Sequence, residues 1–194
     1  MAGCRAGTQP WRRLFHAVNG VLLGTAIHYL PLASLTIAAI LGGAFSVLLL
    51  TDVVRLTQPR ANELFFRVFG PLASPREVRG LASSTWYTLG VALAVALFLR
   101  GAAVSAVLVL GLCDPGASYV GRRWGRRPLL GGTLEGSAVF VCVAALVLVL
   151  RHPLPAALSA ALIAALAERL SWPLDDNFTI PIACAAALTS LDAL

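Results

Sequence analysis

The sequence predicts an all-α polytopic membrane protein, with about seven transmembrane helices and a polar site gathered at their cytoplasmic ends. Three observations carry that expectation. Hydrophobic residues make up 58% of the chain and charged residues 12%, with a mean hydropathy of +0.82; soluble domains carry roughly 25% charged residues. Apolar runs recur along the chain at about 14–30, 32–54, 83–99, 102–118, 136–150, 154–170 and 178–193, against the roughly 17–25 residues a spanning helix needs. The 15 basic residues are all arginine and gather in the connections between those runs.

The runs read in order as one integral-membrane domain over residues 1–194. The first two are a helical hairpin broken near Tyr29-Leu30-Pro31, too long together for a signal-peptide core, so the N-terminus is expected to be retained. Asn62, Phe65, Phe66 and Phe69 interleave with Arg60, Glu63 and Arg67, the pattern of a short amphipathic helix in the interface. Several later runs are short enough that six spans stand as an alternative to seven, their ends relying on snorkelling arginine. Trp11, Trp86, Tyr87 and Trp172 fall near span ends, as interfacial aromatics do.

With the N-terminus in the cytoplasm, Arg5, Arg12, Arg13, the arginines of 55–79, those of 122–127 and Arg169 all lie inside. Only Arg100 and Arg151 lie outside. That asymmetry fits the positive-inside rule. It also argues against a nucleic-acid surface, which would show a basic stripe with polar or aromatic readers on a folded face. Cys4, Cys113, Cys142 and Cys184 are widely spaced, with neither a CxxC nor a Cys/His metal pattern.

One polar island interrupts the apolar pattern, from Asp114-Pro115-Gly116-Ala117-Ser118 through Gly121-Arg122-Arg123-Trp124-Gly125-Arg126-Arg127 to Leu134-Glu135-Gly136. Carboxylates can hold a divalent cation, arginines clamp phosphate oxygens, and glycines let backbone N–H groups approach an anion. Asp114 lies roughly 21 Å along its helix from Arg100 at 1.5 Å per residue, near the inner edge of the bilayer core. Pro115 is expected to break the helix there. The plainer reading makes the arginines topology markers and the acids their partners.

Asp175-Asp176-Asn177, with Thr179 and Pro181, opens the last run. An Asp or Asn there caps a helix, but two acids and an amide exceed what a cap requires, so a metal or general-base role stands beside it. Glu168 either pairs with Arg169 or joins that acidic cluster. Arg12, Arg13 and His16, with Asn19 a turn further on, open the first run, and His16 is a candidate phosphate contact. Arg76 and Glu77 read as an ion pair with no further role. P-loop, protein-kinase and GxSxG motifs are all absent.

Taken in order, these pieces resemble the integral-membrane lipid-alcohol kinases, the family of dolichol kinase, CTP-dependent diacylglycerol kinase and phytol kinase. The resemblance starts at Arg12-Arg13-x-x-His16 and continues through Arg76-Glu77 and Trp86-Tyr87-x-x-Gly90. It is carried further by Asp114-Pro115-x-Ala117-Ser118-x-x-Gly121-Arg122-Arg123-x-Gly125, Leu134-Glu135-Gly136-Ser137, Glu168 and Asp175-Asp176-Asn177-x-Thr179-x-Pro181. The central run is also similar to the phosphatidate cytidylyltransferase signature. One departure stands out: the family pattern has a lysine before the Thr-Leu-Glu-Gly segment, where this chain has Gly132, and Arg126 or Arg127 is the expected substitute, although the two cations are not equivalent.

The resemblance implies transfer of the γ-phosphoryl group of a nucleoside triphosphate, CTP ahead of ATP, onto a lipid alcohol such as diacylglycerol, a polyprenol or phytol. Phosphoryl transfer chiefly needs positioning and charge neutralisation. Asp114 with Asp175 or Asp176 is assigned to Mg2+. Arg13, His16, Ser118, Gly121, Arg122, Arg123 and Arg126 are assigned to the nucleotide phosphates, and Asp176 or Glu135 to the substrate hydroxyl. Asn19, Glu168 and Asn177 complete the candidate set. The alternatives are a cytidylyltransferase using the same groups, or a non-enzymatic membrane protein such as a transporter. The expected location is the plasma or inner membrane, multi-pass, with homo-oligomerisation left open.

Overall fold

The computed structural model describes residues 10–171 and 173–191. Cys4, Arg5, Trp172 and the end of the last expected span lie outside the described residues. Eight α-helices are present among them: α1 (Pro10–Tyr29), α2 (Ser34–Thr57), α3 (Pro59–Phe69), α4 (Ser83–Leu97), α5 (Arg100–Trp124), α6 (Leu134–Val149), α7 (Leu154–Arg169) and α8 (Asp176–Leu191). A 3₁₀ turn (Pro75–Val78) precedes α4. A small antiparallel hairpin, β1 (Pro128–Leu129) with β2 (Gly132–Thr133), joins α5 to α6.

Each of the seven expected runs falls on a helix, and the amphipathic segment after α2 is α3. Two described helices, α2 and α5, are long and apolar enough to cross a membrane. The fold centres on α5, which packs against α1, α6 and α8. Helix α7 lies against α6 and α8, and α4 links α8 to α2.

The distribution of apolar residues shows what solvent these helices suit. Small side chains fill the interior: Ala94, Ala103, Ala106, Ala144, Ala157, Ala160, Ala161 and Ala164 are fully buried, while Leu22, Leu35, Leu50, Leu146 and Leu162 point outward. Between helices in lipid, small residues permit the close approach that dispersion requires, and large apolar side chains face outward at no cost. Helices α1 and α5 approach closely, and a Cβ added to Gly20 would lie 2.6 Å from the Gly111 Cα.

The structure corrects the expected break at Pro115. Helix α5 runs through it to Trp124, so the first half of the polar island is helix rather than loop. A proline inside a helix removes one backbone donor and crowds the carbonyl four residues back, a cost of about 3 kcal/mol or more. Here that residue is Gly111, already pressed against Gly20, and packing on three neighbouring helices holds α5 in line. The Ser118 hydroxyl donates to the Pro115 carbonyl at 3.3 Å.

At the opposite end, Arg100 does more than mark topology. Its guanidinium donates to the carbonyls of Ile27 (2.7 Å) and Leu32 (2.8 Å), closing the α1–α2 connection. Carbonyls left unpaired at a helix C-terminus favour such a cation.

Candidate active site

A cavity of about 610 Å³ opens where the start of α1, the polar end of α5, the hairpin, the end of α7, the start of α8 and the segment before α4 converge. On α5 its wall includes Asp114, Ser118, Gly121 and Arg122. Their spacing of four, seven and eight residues puts all four on one helix face. The same geometry corrects the grouping of Arg123 with them: nine residues beyond Asp114, it lies half a turn away and does not line the cavity.

Helix α1 contributes Arg12, Arg13 and His16. Arg13 Nε donates to Ser118 Oγ at 2.9 Å, and its guanidinium carbon lies 5.6 Å from the centroid of the Tyr119 ring, fixing α1 against α5. His16 stands edge-on to Tyr87, with ring centroids 5.5 Å apart. Its Nε2 is buried and has no hydrogen-bond partner among the described residues. Buried polar atoms are seldom left this way. Asp114 and Asp175 are both within electrostatic reach of the ring. Asn19, one turn deeper, is outside the lining.

Asp175 and Asp176 enter the cavity from the start of α8. Asn177, itself buried, ties them together: its Nδ2 donates to Asp175 Oδ1 at 2.5 Å and to Asp176 Oδ1 at 3.2 Å, and its backbone N–H donates to Asp175 Oδ1 at 3.1 Å. Gly90 of α4 makes this possible, because a Cβ there would lie 2.8 Å from the Asn177 carbonyl oxygen. Burial pushes the Asp176 carboxyl well above its ordinary range, and Asp114, Asp175 and Glu168 push it in the same direction. Glu168 and Arg169, at the end of α7, line the cavity and form an ion pair.

Glu135 and Arg126 are placed elsewhere. Glu135 accepts the backbone N–H groups of Arg126 (3.1 Å) and Arg127 (3.3 Å), holding the hairpin onto the first turn of α6, and it does not line the cavity. Its own backbone N–H and those two donors lower the carboxyl below its usual range. Thr133 caps α6 by accepting the Gly136 N–H at 3.2 Å. The polar run after Trp124 is therefore largely a device for the turn into α6.

The comparisons with known proteins bear on this geometry. Over 158 residues the chain is 34% identical to CTP-dependent diacylglycerol kinase 1 of Schizosaccharomyces pombe, covering 71% of this chain and 72% of that one. With the protein of the same name from Eremothecium gossypii it shares 28% identity over 215 residues, covering 94% of this chain and 67% of the relative. The Saccharomyces cerevisiae protein matches at 29% over 82 residues. The chain belongs to the lipid-alcohol kinase family. This lipid kinase is a phosphotransferase with an alcohol group as acceptor. No family model matches the chain, and no solved structure does.

The cavity has one wall outside the candidate site residues expected from the sequence. Ser74, Arg76, Glu77 and Ser83 face it from the segment between α3 and α4. Expected as a plain partner of Arg76, Glu77 instead accepts the Ser74 N–H at 3.0 Å and the Ser83 hydroxyl at 2.9 Å. Ser83 in turn accepts from Arg12 Nη2 at 3.1 Å, bridging to α1. Ser74-Pro75-Arg76-Glu77 is a capping box, and its S-x-x-E spacing was the signal available in the sequence.

Proposed function

We propose that this kinase transfers the γ-phosphoryl group of CTP to the hydroxyl of diacylglycerol, at the face of the membrane where the polar cavity opens. The observation that carries the reading is the convergence of Asp114, Asp175 and Asp176 with Arg13, Arg122 and His16 around one cavity. The relatives are named for CTP and diacylglycerol, and the cavity has the charge pattern a triphosphate and its counter-ion need. The outward-facing leucines and the two long apolar helices support a multi-pass arrangement, with the arginine-rich connections on the nucleotide side.

Mg2+ fits the residues present. Among the described residues no group of three or more metal-ligating side chains is assembled to hold a metal ion by itself. Mg2+ in nucleotide sites takes one or two carboxylates and completes its shell with phosphate oxygens and water. Asp114 and Asp175 would hold it, and it would supply neutralisation of the triphosphate charge.

The protein's own residues do the rest. Arg13, fixed by Ser118, and Arg122 hold phosphate oxygens, and His16 Nε2 offers a further polar contact. The diacylglycerol oxygen bonds to the γ-phosphorus as the bond from that phosphorus to the bridging oxygen breaks, and CDP leaves with the electron pair. The hydroxyl proton passes to Asp176, which faces the cavity where Glu135 does not. The products are phosphatidate, CDP and a proton. The acyl chains stay in lipid, so only the headgroup has to reach the cavity.

The test supplies purified protein with Mg2+ and CTP labelled at the α- or γ-phosphate, with diacylglycerol, polyprenol, phytol or phosphatidate as acceptor. Label from the γ position in phosphatidate, with diacylglycerol preferred, supports the reading. Label from the α position makes the protein a cytidylyltransferase and sinks it. Preference for ATP or for a polyprenol overturns the corresponding half.

A further inference from the structure

Gly132 and Arg169 share one place in the cavity wall. A Cβ built on Gly132 would coincide with the Arg169 guanidinium, and the three nearest atoms to it are Nη1, Cζ and Nη2 of that residue. Both residues line the cavity. The Arg169 side chain is only 14% exposed, and its Nε and Nη2 face Glu168. The other edge of the guanidinium, carrying Nη1, is turned to the hairpin at Gly132.

That arrangement answers a question the sequence posed. A cation expected beside Thr133 is missing from position 132, and Arg126 and Arg127 were the expected substitutes. Neither lines the cavity, and both are exposed just ahead of the hairpin. Arg169 reaches the same point from another helix. A guanidinium is suited to this because it is a two-edged planar donor: one edge can stay on a carboxylate while the other binds phosphate oxygens. An ammonium on a flexible stem has no second edge.

We propose that Arg169 is a nucleotide-binding residue, held by Glu168 and offering Nη1 to the phosphate oxygens of CTP, and that position 132 is glycine because any side chain there would displace it. The proposal rests on the reading of this cavity as the CTP site. Glu168 is then a positioning residue. Position 132 carries no positive-φ requirement, unlike Gly131 at φ 77°. A side chain at 132 is therefore tolerated by the backbone once the guanidinium is gone.

The experiment measures CTP binding by calorimetry on the full chain in detergent, with kinase turnover as a second readout. Arg169→Ala is expected to raise the Kd for CTP about 10- to 100-fold, the worth of a charge-assisted hydrogen bond, with the KM for diacylglycerol unchanged. Gly132→Ala, which keeps every charge in the chain, is expected to weaken CTP binding in the same direction and carries the test if Arg169→Ala does not fold. Gly132→Lys in the Arg169→Ala background is expected to recover part of the lost affinity. Wild-type CTP affinity in both Arg169→Ala and Gly132→Ala overturns the proposal and leaves the kinase reading standing. Wild-type protein that binds CTP but phosphorylates no lipid alcohol sinks the kinase reading, while the variants still decide the role of Arg169. Wild-type protein that binds no nucleoside triphosphate overturns both.

Discussion

Asp52 and Arg55 form a buried ion pair one turn apart near the end of α2, with Oδ1 and Nε 2.6 Å apart, and through it they hold the wall of a cavity that neither residue enters. Arg55 donates to the carbonyls of Glu77 and Gly80, both at 2.7 Å, and to Asn62 Oδ1 at 3.1 Å. Its guanidinium carbon sits 4.6 Å from the centroid of the Phe65 ring. Asp52 accepts the Ala82 N–H at 2.8 Å and the Thr85 hydroxyl at 2.6 Å through its other oxygen. Helix α2, helix α3 and the segment leading into α4 are thus one polar unit.

Removing one member of such a pair leaves the other charge buried without its partner, at a cost of about 3–5 kcal/mol. Arg55→Leu is therefore expected to lower the melting temperature of the detergent-solubilised protein and to reduce transfer by loosening the segment that carries Glu77 and Ser83. Replacing both residues, Asp52→Leu with Arg55→Leu, is expected to recover only part of the melting temperature and little of the activity, because the Ala82 N–H, the Thr85 hydroxyl and the carbonyls of Glu77 and Gly80 stay unheld. A wild-type rate in Arg55→Leu would show that this wall is not part of the working site.

This pair also marks where the sequence stops being legible. The helices could be read because apolar runs bounded by arginine, proline and glycine leave few choices for a chain in lipid, and α1, α2 and α4 to α8 fall where those runs lie. Asp114, His16 and Asp175-Asp176 could be singled out because charge near a span is expensive and rarely idle. Asp52, inside the expected run 32–54, carried the same signal but was passed over, and Arg55, after a long span, looks like every other topology marker. Their function depends on which loop folds back over them. Pro115 misled for a related reason: local preference favours a break, and packing against α1, α6 and α8 overrides it. The Gly132–Arg169 relationship joins residues 37 positions apart, so no local pattern could show it.

The crossing of α1 and α5 at Gly20 and Gly111 sets the position of Arg13 and His16 relative to Asp114. An added Cβ on Gly111 would lie 2.8 Å from the Gly20 Cα, with backbone on both sides and nothing flexible to yield. Gly20→Leu is expected to push the helices apart, cost about 1–3 kcal/mol of stability by overpacking, and break the Arg13–Ser118 hydrogen bond. A cysteine pair placed across the interface would report the separation as lost crosslinking. Unchanged crosslinking and transfer would show that the helices slide past the obstruction.

Glu135 was grouped with the catalytic carboxylates on residue type, but its partners are the backbone N–H groups of Arg126 and Arg127. Glu135→Gln keeps an acceptor in place and is expected to retain most of the transfer rate. Glu135→Ala removes the acceptor and is expected to expose residues 125–133 to protease while lowering the rate indirectly. If Glu135→Gln were as inactive as a substitution at Asp114, a direct role in the chemistry would follow.

Asp114 carries the strictest prediction. It lies on the cavity face of α5 with Ser118, Gly121 and Arg122, opposite the paired carboxylates of α8. Asp114→Asn has nearly the same shape and can keep a hydrogen-bond role, but it removes the charge that a divalent cation needs. A metal's contribution to phosphoryl transfer is several kcal/mol, so the rate is expected to fall by at least about 100-fold. The protein should still resist extraction from membranes by alkaline carbonate, and its melting temperature should hold or rise, because one of several crowded carboxylates has been neutralised. Raising the Mg2+ concentration should restore part of the rate in Asp114→Glu but none in Asp114→Asn. Full activity in Asp114→Asn would remove the carboxylate from metal binding and shift that role to the Asp175-Asp176 pair, with Asp114 left as a partner for the arginines of α1 and α5.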